Sequence, residues 1–177
     1  MNILLLSGSP RHGSNTLALL QEIADGARES GTHSVKLEDI TALCIAPCVG
    51  CGSCRTSHIC VQSDDMTLLL DELRQADCIV FGSPVYWWGI TAQLKTVIDR
   101  IYANPRVLKG KTVNLVLVGG ASTDNPQYRL IQEQFQLMAD TVGFTLGFVK
   151  PVSATNADEV RSREDLMREF RDLGRSL

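Results

Sequence analysis

An α/β architecture, a doubly wound three-layer arrangement around five parallel strands, is predicted by three features of the sequence. Short apolar runs alternate with amphipathic stretches from one end to the other. Most of the runs are apolar throughout, as strands covered on both faces are. Small and polar residues follow three of them, at the edge where such a sheet delivers its ligand-binding loops.

Residues 2–6 (NILLL) form the first strand, stopped by Ser7-Gly8-Ser9-Pro10. Ser14 or Asn15 can cap a helix in which Leu17, Leu20, Ala24 and Ala27 recur at helical spacing up to Gly31. Residues 34–40 alternate as a second strand. Met66, Leu69, Leu70 and Leu73 mark one face of the next helix, which Asp64-Asp65 begin. Residues 78–81 make a third strand, broken at Gly82-Ser83-Pro84. Leu94, Val97, Ile98 and Ile101 carry a helix, residues 112–118 a fourth strand ending at Gly119-Gly120, and Ile131, Phe135, Met138 and Val142 another helix. Residues 144–149 are a fifth strand and 158–173 a final helix. Five βα pairs in succession give a parallel sheet with helices on each side and the strand order 2-1-3-4-5.

The 177 residues suit one domain, 1–177, with no repeat or low-complexity linker to divide it. Hydrophobic residues at 44% and charged residues at 21% are ordinary globular usage, so disorder is excluded. Seventeen basic against twenty acidic side chains give a net charge of −3, which argues against a nucleic-acid surface. No apolar run reaches the ~20 residues of a membrane span, and residues 3–6 are too short for a signal-peptide core. A cytoplasmic location is the expectation.

In the 2-1-3-4-5 order the first and third strands flank the crevice where ligands bind. The loop after the first strand, SGSPRHGSNT, runs straight into a helix N-terminus, whose free N–H groups and dipole favour an anion. Ser7, Ser9, Ser14, Asn15 and Thr16 supply hydroxyl or amide groups there, and Arg11 a fixed charge. The dinucleotide fingerprint G-x-G-x-x-G is absent. Gly8 and Gly13 have the spacing of a triphosphatase loop, but Ser14-Asn15 replaces its Lys-Ser/Thr pair, so a terminal monophosphate fits better. A turn that only caps the helix is the plainer alternative. The third-strand loop, Ser83, Pro84, Val85, Tyr86, Trp87, Trp88, places three aromatics in a row, which suits the face of a flat conjugated ligand, or a covered sheet edge or subunit contact. Gly119 and Gly120, with Ser122, allow close backbone approach from the fourth strand. A phosphate site and an aromatic wall on one crevice describe FMN better than a dinucleotide.

Five of the six cysteines fall between Cys44 and Cys60, within an insertion of residues 41–63 that exceeds the usual 2–6-residue connection. Crowding of this kind points to metal or redox chemistry rather than a disulfide scaffold. Cys48, Cys51, Cys54 and Cys60 follow C-x2-C-x2-C-x5-C, and Gly50 and Gly52 permit the turns that wrap one centre. An iron–sulfur cluster, a zinc ion and a metal-free thiol loop are all compatible with that spacing. Cys44 is surplus, Cys78 sits in an apolar strand, and His58 suits a solvated loop position.

The segments LLLSGSPRHGSNT, DDM with its apolar helix, and ADCIVFGSPVYWWGITAQLKTVIDR resemble the NADPH-dependent FMN reductase branch of flavodoxin-like proteins, over residues 2 to about 150. The resemblance implies a flavodoxin-like fold, FMN phosphate held at Ser9, Arg11, Ser14, Asn15 and Thr16, and the flavin ring bordered by Ser83–Trp88 and Gly119–Ser122. The cysteine spacing is similar to the compact motif of iron-sulfur flavoproteins, which implies one [4Fe–4S] cluster beside FMN. It further implies NAD(P)H as a possible electron donor, a small-molecule or protein redox partner, and a homodimer or homotetramer. In this reading the flavin carries the chemistry, no protein nucleophile is needed, and Asp99-Arg100 are structural or interfacial. Two other readings stand beside it: a cluster-free NAD(P)H-dependent flavin or quinone reductase, and a binding or sensor module with a thiol or zinc loop.

Overall fold

Alternation of side chains along the apolar runs builds two separate cores on the two faces of one sheet. The computed structural model describes residues 1–177. Strands β1 (Asn2–Ser7), β2 (Ser34–Asp39), β3 (Cys78–Tyr86), β5 (Thr112–Gly119) and β6 (Thr145–Ser153) lie parallel in the order β2-β1-β3-β5-β6. Counting only these five, the order is the expected 2-1-3-4-5. A sixth strand, β4 (Gly89–Ile90), pairs antiparallel with the end of β3.

Leu4, Leu6, Ile79, Phe81, Leu115 and Leu117 face one side. There they pack under helices α3 (Met66–Gln75), α4 (Ala92–Ile101) and α5 (Pro126–Val142). Ile3, Leu5, Val80, Val116 and Val118 face the other, under α1 (Asn15–Glu29) and α6 (Glu164–Arg175). Each such side chain contributes about 1.5–3 kcal/mol on leaving water. The inner strands are therefore covered on both faces, which is why they read as mainly apolar runs, with Asn114 buried in β5. The insertion after β2 contains one short helix, α2 (Cys54–Ser57).

The structure changes three boundaries. β3 does not stop at Gly82 but continues through Ser83-Pro84 to Tyr86. β1 ends at Ser7, opposite Gly82, so beyond that point β3 has a parallel neighbour on one side only, where a proline's missing N–H is tolerated. β6 likewise runs past Lys150-Pro151 to Ser153 because it is an edge strand, with Pro151 paired to Leu117. The last helix begins at Glu164 rather than 158, the residues Glu159–Ser162 forming a 3-10 turn.

Candidate functional site

The loops leaving the carboxyl ends of β1, β3, β5 and β6 enclose a cavity of about 160 Å³. Ser9, Arg11, Asn15 and Thr16 form one wall, Pro84, Val85 and Tyr86 a second, and Gly119 and Gly120 a third. Nine of the fifteen residues read as cofactor-contacting thus meet in one place. Arg11 is the single charged residue among the lining side chains.

The first wall is built by a helix start. Ser14 is the N-cap of α1 and its hydroxyl accepts from Leu17 N–H at 3.1 Å. The N–H groups of Arg11 to Thr16 have no acceptor within the protein. N–H groups at the positive end of a fifteen-residue helix, beside a guanidinium, are the chemistry that suits an anion. The Ser9 and Thr16 side chains lie beside these donors, buried yet lining the cavity. Ser7 Oγ, just before this loop, is buried without a hydrogen-bond partner. The chemistry of this donor set fits a phosphate monoester, and the flat Tyr86 wall fits a conjugated ring, so FMN suits the residues present.

Six of the fifteen stand back from the cavity, each for a visible reason. Ser14 is occupied as the cap, and Ser7 lies beneath the loop. The Ser83 hydroxyl donates to Pro84 O at 2.7 Å and accepts from Thr91 N–H at 3.0 Å, fixing the entry to α4. Trp87 and Trp88 form the two-residue turn between β3 and β4, and Trp87 is 91% exposed. Ser122 is exposed beyond Gly120. Asn15 lines the cavity, but its amide is already used: Nδ2 donates to Asn156 O at 2.7 Å and Oδ1 accepts from Val160 N–H at 3.2 Å. It holds the β6–α6 loop in place, which leaves its backbone N–H and one amide N–H free. Gly119 serves packing as well as the cavity, since a Cβ there would stand 2.9 Å from the Tyr128 hydroxyl.

Sequence reasoning missed the fourth wall. Val118, Ala154 and Thr155 line the cavity, and Arg11 donates to Thr155 O at 2.8 Å. The Glu159 carboxylate accepts from Thr155 and Asn156 N–H, both at 2.9 Å, and these backbone donors hold it below the ordinary carboxylate range. The signal was present in the run Ser153-Ala154-Thr155-Asn156, another small and polar stretch after a strand.

A second cavity, also about 160 Å³, lies over the cysteine insertion. Cys48, Cys51, Cys54 and Cys60 all line it, together with Arg55, Asp99, Arg100 and Tyr102. No three His, Cys, Asp or Glu side chains converge closely enough to share one ion. The Ser53 hydroxyl and N–H hold the Cys51 thiol below its ordinary range. His58 is exposed in a left-handed conformation and lies outside this lining.

The base of the insertion is clamped to the core. Asp64, which also accepts from Met66 N–H at 3.1 Å, takes Arg100 in a bidentate pair at 2.7 and 2.9 Å. Its Oδ2 accepts from Ala46 N–H at 3.0 Å, and Asp65 accepts from Cys44 N–H at 2.7 Å. Arg100 in turn lowers the Asp64 carboxyl below its ordinary value. The two acids therefore do more than begin α3: they tie down the loop that presents the cysteines.

Comparison with known proteins agrees with this geometry. The family model of the NADPH-dependent FMN reductases matches residues 1–146. The chain is 37% identical over 139 residues to an iron-sulfur flavoprotein of Methanocaldococcus jannaschii, covering 75% of this chain and 69% of that one. It is 36% identical over 137 residues to an iron-sulfur flavoprotein of Methanosarcina thermophila, covering 75% and 70%. The fold superposes on an NAD(P)H:quinone oxidoreductase from Methanothermobacter marburgensis with a TM-score of 0.76 over 99% of this chain and 98% of that one, at 18% identity. No helix is long and apolar enough to cross a membrane. This flavodoxin-like chain, matched along most of its length by that family model, belongs to the NADPH-dependent FMN reductase family of flavin-dependent oxidoreductases.

Proposed function

We propose that residues 1–177 form a single FMN-binding domain that works as an electron-transfer oxidoreductase, with a [4Fe–4S] cluster on Cys48, Cys51, Cys54 and Cys60. The observation that carries the flavin half is the cavity in which free N–H groups, Arg11 and Tyr86 face one another across the β1–β3 crevice. When bound, FMN supplies hydride or single-electron chemistry and the cluster supplies one-electron transfer. Arg11, Ser9, Thr16 and the α1 N–H groups bind and orient the phosphate. Pro84, Val85 and Tyr86 limit water along the ring face.

The cluster half is supported by four cysteines on one cavity and by the relatives' names. The buried Arg100 cation on the same cavity offsets the negative charge that a thiolate-bound cluster would bring.

The two cavities flank opposite ends of α4. The Thr91 hydroxyl at its N-terminus donates to Gly8 O at 2.7 Å in the first loop, while Arg100 lies nine residues further on, about 14 Å along the axis. A homodimer or homotetramer in which one subunit's insertion approaches the next subunit's flavin site would shorten that path. NAD(P)H is the proposed donor, and a small molecule or a redox protein the acceptor.

Anaerobic purification followed by iron, sulfide and flavin analysis tests the reading. Four irons and four sulfides per FMN are expected. Flavin without iron, with turnover of reduced nicotinamide, would establish the cluster-free reductase instead. Colourless protein that takes up no FMN would end both.

A further inference from the structure

Arg100 sits where a surface helix would ordinarily carry a solvated cation, yet its side chain is 1% exposed. Two of its nitrogens are accounted for. Nη1 donates to Asp64 and to Ala46 O, each at 2.7 Å, and Nη2 donates to Asp64 at 2.9 Å. Nε is buried with no partner. An unpaired buried N–H on a charged group is destabilising, so its retention calls for an acceptor. Arg100 is also a wall of the cysteine cavity, and after Asp64 the neighbour that most favours its charged form is Cys60. Asp99 and Arg55 are the other charged residues of that wall. Asp99 is paired with Lys95 at 2.6 Å, and Arg55 is exposed.

We infer that Arg100 is a positioning and tuning residue for the group held by the four cysteines, donating its Nε–H to the sulfur side of that group at Cys60. This rests on the cluster reading above. Adding one electron to a thiolate-bound cluster adds one negative charge, and a fixed cation with an N–H aimed at a sulfur stabilises the reduced form. Bidentate attachment to Asp64 leaves the guanidinium no freedom to turn away, so the donor is set in place before the group is loaded. Removing the donor lowers the reduction potential without removing a ligand.

Arg100→Lys keeps a cation beside Asp64 and removes the Nε donor. Iron, sulfide and FMN content of the wild type tests the cluster reading by itself: absence of iron there overturns that reading, and the inference with it. Given four irons in both proteins, the inference predicts about a tenfold shift of the reduction equilibrium toward the oxidised form in Arg100→Lys, a fall of 59 mV for a one-electron couple by EPR-monitored titration. An unchanged potential overturns it. If the variant fails to hold four irons, pulsed EPR on the reduced cluster of 15N-arginine-labelled protein carrying Arg55→Gln decides. A 15N coupling supports the Nε contact, and its absence overturns it.

Discussion

Cys78 shows how burial and not spacing decides what a cysteine does. Its thiol lies in β3 within the core, where it accepts from Asn114 Nδ2 at 3.2 Å. Burial pushes the thiol up to about 11. The folded state thus holds the proton more tightly than an unfolded chain. The resulting stabilisation is fully present below the ordinary thiol range and is lost as pH rises from about 9 to 11. Alkylation at pH 8 of native protein stripped of metal should modify five cysteines and spare Cys78, read by mass spectrometry. Rapid labelling of Cys78 under native conditions would contradict its placement. Arg100 teaches the opposite lesson. In the sequence it is one half of an ordinary Asp-Arg pair, and only the fold reveals that its partner is Asp64, thirty-six residues away.

At the scale of elements, the β3–β4 hairpin is the least expected feature. Trp87 and Trp88 adopt φ of 47° and 63°, the left-handed pair that a two-residue hairpin requires and that Asn-Gly supplies without strain. Each bulky residue there costs roughly 1–2 kcal/mol. Their rings meet edge to face at 5.4 Å, which returns only about 0.5–1.5 kcal/mol. The double substitution Trp87→Asn with Trp88→Gly should therefore raise stability by about 1–2 kcal/mol, measured as a higher urea midpoint at unchanged slope. A lower midpoint would mean that the tryptophans make contacts that outweigh their strain. The hairpin escaped sequence reading because Gly82-Ser83-Pro84 resembles a strand terminator. Lys150-Pro151 hid the end of β6, and with it Ala154 and Thr155, for the same reason. Both prolines occupy positions where the sheet lacks a neighbour on one side, a circumstance set by topology. The inner strands were legible because burial on both faces makes them almost wholly apolar, Asn114 in β5 being the polar exception. The meeting of the four cysteines on one cavity was legible by spacing, whereas the part of Arg100 in its wall was not.

The whole molecule depends on how the α1 layer is held, since the start of α1 lines the crevice cavity. Helices α1 and α6 approach through two glycines. A Cβ on Gly26 would stand 2.0 Å from Arg171 O, and one on Gly174 2.1 Å from Ile23 O. Exposed pairs such as Arg175–Glu29 at 2.6 Å rim the contact and add little. Gly174→Ala should destabilise the fold by about 1–3 kcal/mol although alanine favours helices, because the backbones must separate. A neutral or stabilising result by denaturant titration would show that the two helices are not so closely packed.

The central claim is that a dianionic head group is gripped at the start of α1 and lays a flavin against Tyr86. Parallel fluorescence titrations of flavin-free protein with FMN and with riboflavin test it most directly. Two or more charge-assisted contacts at about 1.5 kcal/mol or above predict at least about a hundredfold preference for FMN. Equal affinity for the two flavins, or binding of neither, would contradict it.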